Sequence, residues 1–222
     1  MINEFKNRTE AGQLLAGKLS SYASRSDVVV LALPRGGVPV AFQIAQILHA
    51  PLDVFVVRKL GVPDHGELAM GAIATGGARI LNEFVVSYYG IHDKEIESIT
   101  EKERKELARR ERLYRGERTP LDVSRKTVIL VDDGVATGST MLAAIAALRG
   151  LKPARIVVAV PVGPNATLNE LRTEADEVVC IMTPRLFDAV GNFYDDFEQT
   201  ADGEVSYLLE LAADEYAAHM LI

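Results

Sequence analysis

Cysteine is almost absent from this sequence. Cys180, set inside the apolar run EVVCIM, is the single instance. A lone thiol cannot close a disulfide within the chain, which excludes a disulfide-framed secreted fold and leaves Cys180 as a small packing residue in a reducing compartment. Basic charge is also short: 24 Lys and Arg stand against 31 Asp and Glu, for a net charge of −7. Binding along a phosphate backbone needs a field of cations to displace counterions, so no nucleic acid is expected as a partner. Long apolar runs are missing as well. No stretch approaches the roughly 18–20 apolar residues that cross a bilayer, and MINEFKNRTE carries no basic-then-apolar signal pattern. The expectation is a cytoplasmic protein with no membrane partner. Neither an internal repeat nor a low-complexity tract is found.

What is present is enough apolar material for a full core: 48% of 222 residues, which suits a single domain spanning 1–222. Five β-rich runs stand out, VVVLAL (28–33), VFVV (54–57), TVILV (127–131), RIVVAV (155–160) and VVCIM (178–182). All are continuous rather than alternating, the mark of strands covered on both faces. Helical patterns follow the first, third and fourth: GVPVAFQIAQILHA, GSTMLAAIAALRGL and NATLNELRTEA. Strand and helix in alternation predict an α/β fold with a doubly wound, mainly parallel sheet of about five strands, whose ligands lie beyond the carboxyl ends of the strands. Asn7 with Glu10 three residues later reads as a capping pair for an N-terminal helix. The stretch 92–118 mixes charges of both signs at helical spacing, which predicts a solvated helical insertion held partly by local ion pairs; a docking surface is the alternative.

The third run leads into VILVDDGVATGST, where Asp132 and Asp133 stand side by side before a loop of small and hydroxyl residues. Leaving the sheet through Gly134 and Gly138 and starting a helix near Ser139, this loop makes an anion cradle from unpaired helix N–H groups, with Thr137, Ser139 and Thr140 adding hydroxyls. It lacks the lysine and glycine spacing of a P-loop and the glycine fingerprint of dinucleotide folds. Two adjacent carboxylates are costly beside a phosphate site unless a cation, a lysine or a pair of hydroxyls compensates them. A ribose offers such hydroxyls, so pair and cradle together read as a detector of a ribose 5-phosphate.

In these residues the stretch resembles the phosphoribosyl pyrophosphate signature of type I phosphoribosyltransferases. The resemblance implies that Asp132 and Asp133 hold the ribose hydroxyls. It also implies that the loop Gly134, Val135, Ala136, Thr137, Gly138, Ser139 and Thr140 binds the ligand, Ala136 to Thr140 taking the 5-phosphate. The first strand ends in LPRGGVPVA, where Gly36 and Gly37 free backbone amides for an anion and Arg35 adds a forked cation; this is similar to the family's pyrophosphate loop. Arg58 and Lys59 resemble the pair that opens a mobile catalytic loop in related enzymes, and the glycine-spaced segment 60–82 after it reads as a flexible lid. Glu67 and His65 are its candidate proton carriers. The segment 183–199 loosely resembles the family's hood, with Phe187 placed to stack on a base and Asp195, four after Gly191, placed as a metal ligand. One departure is informative. Members acting on 6-oxopurines carry an acidic residue where this chain has Ala136, which leaves the acceptor open.

The implied activity is Mg²⁺-dependent transfer of a phosphoribosyl group from phosphoribosyl pyrophosphate to a nitrogenous, nucleobase-like acceptor, and by analogy with the family a homodimer. Two alternatives stay open: a non-catalytic phosphoribosyl pyrophosphate-binding regulator, and a hydrolase of phosphoribosyl compounds.

Overall fold

The computed structural model describes residues 4–220, apart from the side chains at 66 and 67. In chain order the elements are α1 (Arg8–Lys18), β1 (Val28–Ala32), α2 (Gly37–Leu48), β2 (Leu52–Val54), β3 (Val57–Val62), β4 (His65–Ala74), β5 (Arg79–Leu81), α3 (Glu83–Tyr89), α4 (Asp93–Arg115), β6 (Thr127–Val131), α5 (Ser139–Gly150), β7 (Arg155–Val162), α6 (Asn165–Glu174), β8 (Glu177–Met182) and α7 (Asp202–His219). The central sheet runs β2-β1-β6-β7-β8 and is parallel throughout. The α/β sheet expected from the five runs is therefore present, joined by a small antiparallel sheet, β3-β4-β5.

The continuous apolar runs follow from two covered faces. Val28, Val30 and Ala32 point into a cluster with Leu15, Val40 and Leu48, while Val29, Leu31 and Leu33 point into another with Met141, Ile145 and Leu168. The chain winds from β1 outward to β2, then returns to place β6 on the other side of β1. In sheets of this kind, such a reversal of strand order is where ligands bind, beyond the carboxyl ends of the strands. Ala32 pairs with Val131, and Val131 with Ala159, so the loops after β1, β6 and β7 leave the sheet at one level.

The pairing of one run differs from the expectation. The run 54–57 is not one strand: β2 ends at Val54 and β3 begins at Val57. Phe55 N–H still bonds Ala32 O at 2.9 Å and Thr75 N–H bonds Val56 O at 2.9 Å, so the chain hands its pairing from the parallel sheet to the small one within two residues. Most of segment 60–82, the candidate lid, forms the hairpin and third strand of that small sheet. The charged helix α4 carries the local pairs its sequence predicts, Glu106 with Arg109 and Arg110, but solvation covers only part of it. Its other face buries Ile96, Thr100, Leu107, Tyr114 and Arg115. No helix among the described residues is long and apolar enough to cross a membrane.

The bond between α4 and the sheet is ionic at its centre. Arg115 donates from Nε to Asp53 Oδ1 at 3.0 Å and Oδ2 at 3.1 Å, and from Nη2 to Val54 O at 3.1 Å. Leu121 N–H at 3.1 Å and Val54 N–H at 2.8 Å complete the shell around Asp53. Removing one partner strands a buried charge. Arg115→Met is expected to lower unfolding stability by about 3–5 kcal/mol, read from the urea midpoint at unchanged slope; a loss below about 1 kcal/mol would mean that the pair is not what seats α4.

Candidate active site

Strand β6 delivers two acids to this end of the sheet. Asp132 N–H reaches Ala159 O at 3.4 Å, and Asp133 N–H turns back onto Asp132 Oδ1 at 2.9 Å. The glycine loop after β1 presses against this turn. Gly36 has an ordinary helical φ of −61°, so its lack of a side chain serves close approach: a Cβ there would lie 2.0 Å from Asp133 Oδ2. A Cβ on Gly37 would lie 2.8 Å from Val131 O. The loops of two neighbouring strands are thus fitted to each other at the glycines. The Pro34–Arg35 peptide within this loop is cis.

Not every amide expected to be open is so. Gly37 N–H donates to Leu33 O at 3.2 Å and Val38 N–H to Arg35 O at 3.0 Å, because α2 starts at once and closes the turn on itself. Among the described residues, the N–H groups of Arg35 and Gly36 meet no protein acceptor. In the second loop, Val135 N–H donates to Val162 O at 2.9 Å and its side chain is buried. Val135 is therefore a strut joining the loop to β7 and has no amide to offer. Gly134 packs against Val190.

Beyond that strut the cradle is open. Gly138 sits at φ +76°, a left-handed conformation that glycine adopts without strain, and turns the chain into α5. Leu142 N–H to Gly138 O, 2.8 Å, is the first bond of that helix. Among the described residues, Ala136, Thr137, Gly138, Ser139 and Thr140 donate their N–H groups to no protein acceptor. Thr137 and Ser139 add exposed hydroxyls 3.1 Å apart. Thr167, on α6, donates from its hydroxyl to Ala136 O at 2.7 Å and pins the loop carbonyl away from the cradle.

A residue from the far end of the chain completes the acidic side. Arg8, in the first turn of α1, places both Nε and Nη2 at 2.8 Å from Asp133 Oδ2, and Nη1 at 2.7 Å from Glu198 O. Its guanidinium carbon lies 3.9 Å from the centre of the Phe197 ring. Tyr194, buried, donates from its hydroxyl to Asp133 O at 2.6 Å. Burial drives the carboxyl of Asp132 well above the usual range, and the neighbouring Asp133 charge adds to this. Burial also raises Asp133, against the opposing pull of Arg8.

The remaining candidates spread around this centre. Arg35 lies 3.8 Å from Asp202, whose Oδ1 accepts the Tyr114 hydroxyl at 2.8 Å. Arg58, on β3, is engaged by Glu103 of α4 at 2.6 Å and 2.8 Å. Lys59, the next residue on the strand, is exposed. Phe187 stacks on Phe193 with ring centres 5.3 Å apart, so one of its faces is already covered. Asp195 is exposed, and its N–H donates to Phe5 O at 2.8 Å. No group of three His, Cys, Asp or Glu among the described residues could hold a metal. His65 is exposed beside Tyr89; the Glu67 side chain lies outside the described part. Sequence reasoning did not find Arg8, Tyr194 or Thr167. The capping residue Asn7, which accepts Glu10 N–H at 3.0 Å, marks where α1 begins but says nothing of what Arg8 will reach.

Comparison with known proteins bears on this arrangement. A family model described as the phosphoribosyl transferase domain matches residues 1–197. Two strains of Mycobacterium tuberculosis carry a relative, named "Putative phosphoribosyl transferase" in both, that is 45% identical over 213 residues covering 96% of this chain and 48% of the relative. The chain therefore spans about half the length of these curated relatives. The crystal structure of a Thermus thermophilus protein, TT1426, is 40% identical, covers 93% of this chain and 97% of its own, and superposes with a TM-score of 0.82.

The raised carboxyls give a stability prediction. In the unfolded chain an aspartate titrates near ~3.9; in the folded protein Asp132 holds its proton to higher pH. Its contribution is then fully present below about pH 4 and is lost as pH rises through the folded-state value. Asp132→Asn cannot ionise and escapes that loss. Thermal unfolding against pH should show the variant gaining on wild type above about pH 4, by ~2–4 °C per kcal/mol; parallel curves would contradict the assignment.

Proposed function

The chain belongs to the phosphoribosyl transferase family, and from that premise we propose that it moves the phosphoribosyl group of phosphoribosyl pyrophosphate to a nitrogenous, nucleobase-like acceptor and releases pyrophosphate. The observation that carries this reading is the juxtaposition of Asp132 and Asp133 with the open run of amides from Ala136 to Thr140, and with the Gly36 loop packed against Asp133. The acids accept hydrogen bonds from the two ribose hydroxyls, and the cradle receives the 5-phosphate where helix N–H groups and the positive end of α5 favour an anion. The amides of Arg35 and Gly36 meet the leaving pyrophosphate. With the sugar anchored at both ends, its reacting carbon is held in one orientation toward the acceptor, which is the main contribution that positioning makes to such a displacement.

The acceptor side is supported by the aromatic residues of 183–199. Phe187 keeps partial exposure while resting on Phe193, a surface on which a flat heterocycle can stack. A carboxylate is absent at Ala136, so no acid stands there to receive a proton from a 6-oxopurine. As for Mg²⁺, the residues present fit a cation that keeps waters and rides on the substrate's phosphates better than one held in a protein cage: Asp195 is exposed and no trio of ligands exists among the described residues. Bound in that way, the ion would neutralise charge on the pyrophosphate.

Titration calorimetry with Mg²⁺ and phosphoribosyl pyrophosphate, followed by a pyrophosphate-release assay across a panel of bases, tests the proposal. Wild type should bind and should release pyrophosphate only with an acceptor present. Asp132→Asn with Asp133→Asn should weaken binding at least about a hundredfold, two charge-assisted hydrogen bonds being lost. Ribose 5-phosphate formed without any acceptor would identify a hydrolase, binding without turnover a regulator, and absence of binding would refute the reading.

A further inference from the structure

Arg8 touches three parts of the site. Its Nε and Nη2 groups converge on one oxygen of Asp133 at 2.8 Å each. Its Nη1 and its flat face are held by Glu198 O and the Phe197 ring of the hood segment. A Cβ on Gly36 would lie only 3.3 Å from its Nε, which puts the guanidinium directly behind the glycine loop. The side chain is nearly buried, with 12% of its surface exposed against 14% for that of Asp133. The residues around it are also tied down: Phe5 N–H donates to Phe193 O at 2.9 Å, Asp195 N–H to Phe5 O at 2.8 Å, and Asp196 N–H to Lys6 O at 2.9 Å. The segment before α1 is therefore stitched to the hood, and Arg8 carries that connection to the acid pair.

Resting on the phosphoribosyl reading above, we propose that Arg8 is a positioning residue for sugar binding: it immobilises Asp133 through Oδ2 and offsets the negative charge of the acid pair that a phosphorylated sugar would otherwise meet. Both of its bonds fall on Oδ2, so Oδ1 is left without a bond from Arg8. Like charges concentrated in a low-dielectric site repel an incoming anion, and a guanidinium fixed on one of the acids reduces this. The charged and titratable groups facing Asp133 are Arg8 from α1, Asp132 from its own loop and the Tyr194 hydroxyl from the hood. Arg8 opposes the upward push of burial both by its charge and by its hydrogen bond.

Two readouts on Arg8→Gln and Arg8→Lys separate this from a structural role. The first, carboxyl ¹³C NMR of the ligand-free protein against pH, should show Asp133 titrating higher in Arg8→Gln and intermediate in Arg8→Lys. In the second, calorimetry with phosphoribosyl pyrophosphate and Mg²⁺ at pH 7, Arg8→Gln should bind about tenfold more weakly, with the acid limb of its binding profile moved to higher pH and part of the loss recovered in Arg8→Lys. Unchanged titration and affinity in Arg8→Gln would overturn the proposal. If Arg8→Gln does not fold, Arg8→Lys decides it: a smaller shift in the same direction supports it, and identity with wild type overturns it. If wild type itself binds no phosphoribosyl pyrophosphate, the functional reading fails and so does this use of Arg8, while the Asp133 titration still reports whether Arg8 governs that carboxyl.

Discussion

The burial of two neighbouring carboxyls at the end of a parallel strand is the constraint on which the rest of the site depends. Neither acid is stable there as an anion without help, and the fold supplies help to one of them. Asp133 receives Arg8 and lends its backbone carbonyl to Tyr194. Asp132 receives one backbone N–H, and its carboxyl is pushed well above the ordinary value. The asymmetry leaves stress that a ligand with hydrogen-bond donors can relieve. Sites that bind are commonly less stable than the packing around them would allow.

Around that pair, the fold provides geometry more than chemistry. Strand order places the loops after β1 and β6 side by side, Gly36 lets them touch, and Gly138 turns the second into a helix whose first amides stay open. Thr167 and Val135 hold that loop from behind, one by its carbonyl and one by its N–H. The small sheet and α4 are tied to each other and to the central sheet. Arg58 stands on β3 with its fork committed to Glu103 of α4, while α4 itself is seated by Arg115 on Asp53. A charged helix that looks like a solvated insertion is thereby connected to Arg58 on the small sheet.

Local patterns in the sequence carried much of this. Continuous apolar runs announced strands covered on both faces, and the glycines and hydroxyls after Asp133 announced the cradle, because each of these signals lies within about a dozen residues and follows from backbone rules. What the sequence did not display are contacts between distant segments. Arg8 and Asp133 are 125 positions apart, and nothing near Arg8 distinguishes it from any first-turn arginine. The break between β2 and β3 was hidden for a related reason: Val54 to Val57 is apolar throughout, and its pairing changes partner only because Thr75 returns to meet Val56. The closed amides of Gly37 and Val135 depend on Leu33 O and Val162 O, which composition alone does not place.

The claim that acids serve a diol and amides serve a phosphate can be tested with the smallest ligands that separate the two. Binding of ribose 5-phosphate and 2-deoxyribose 5-phosphate, measured side by side by calorimetry, isolates the contribution of one hydroxyl to the carboxyl pair. The account predicts that loss of that hydroxyl weakens binding about tenfold or more, a charged acceptor being left without its donor. Equal affinity for the two sugars would contradict it.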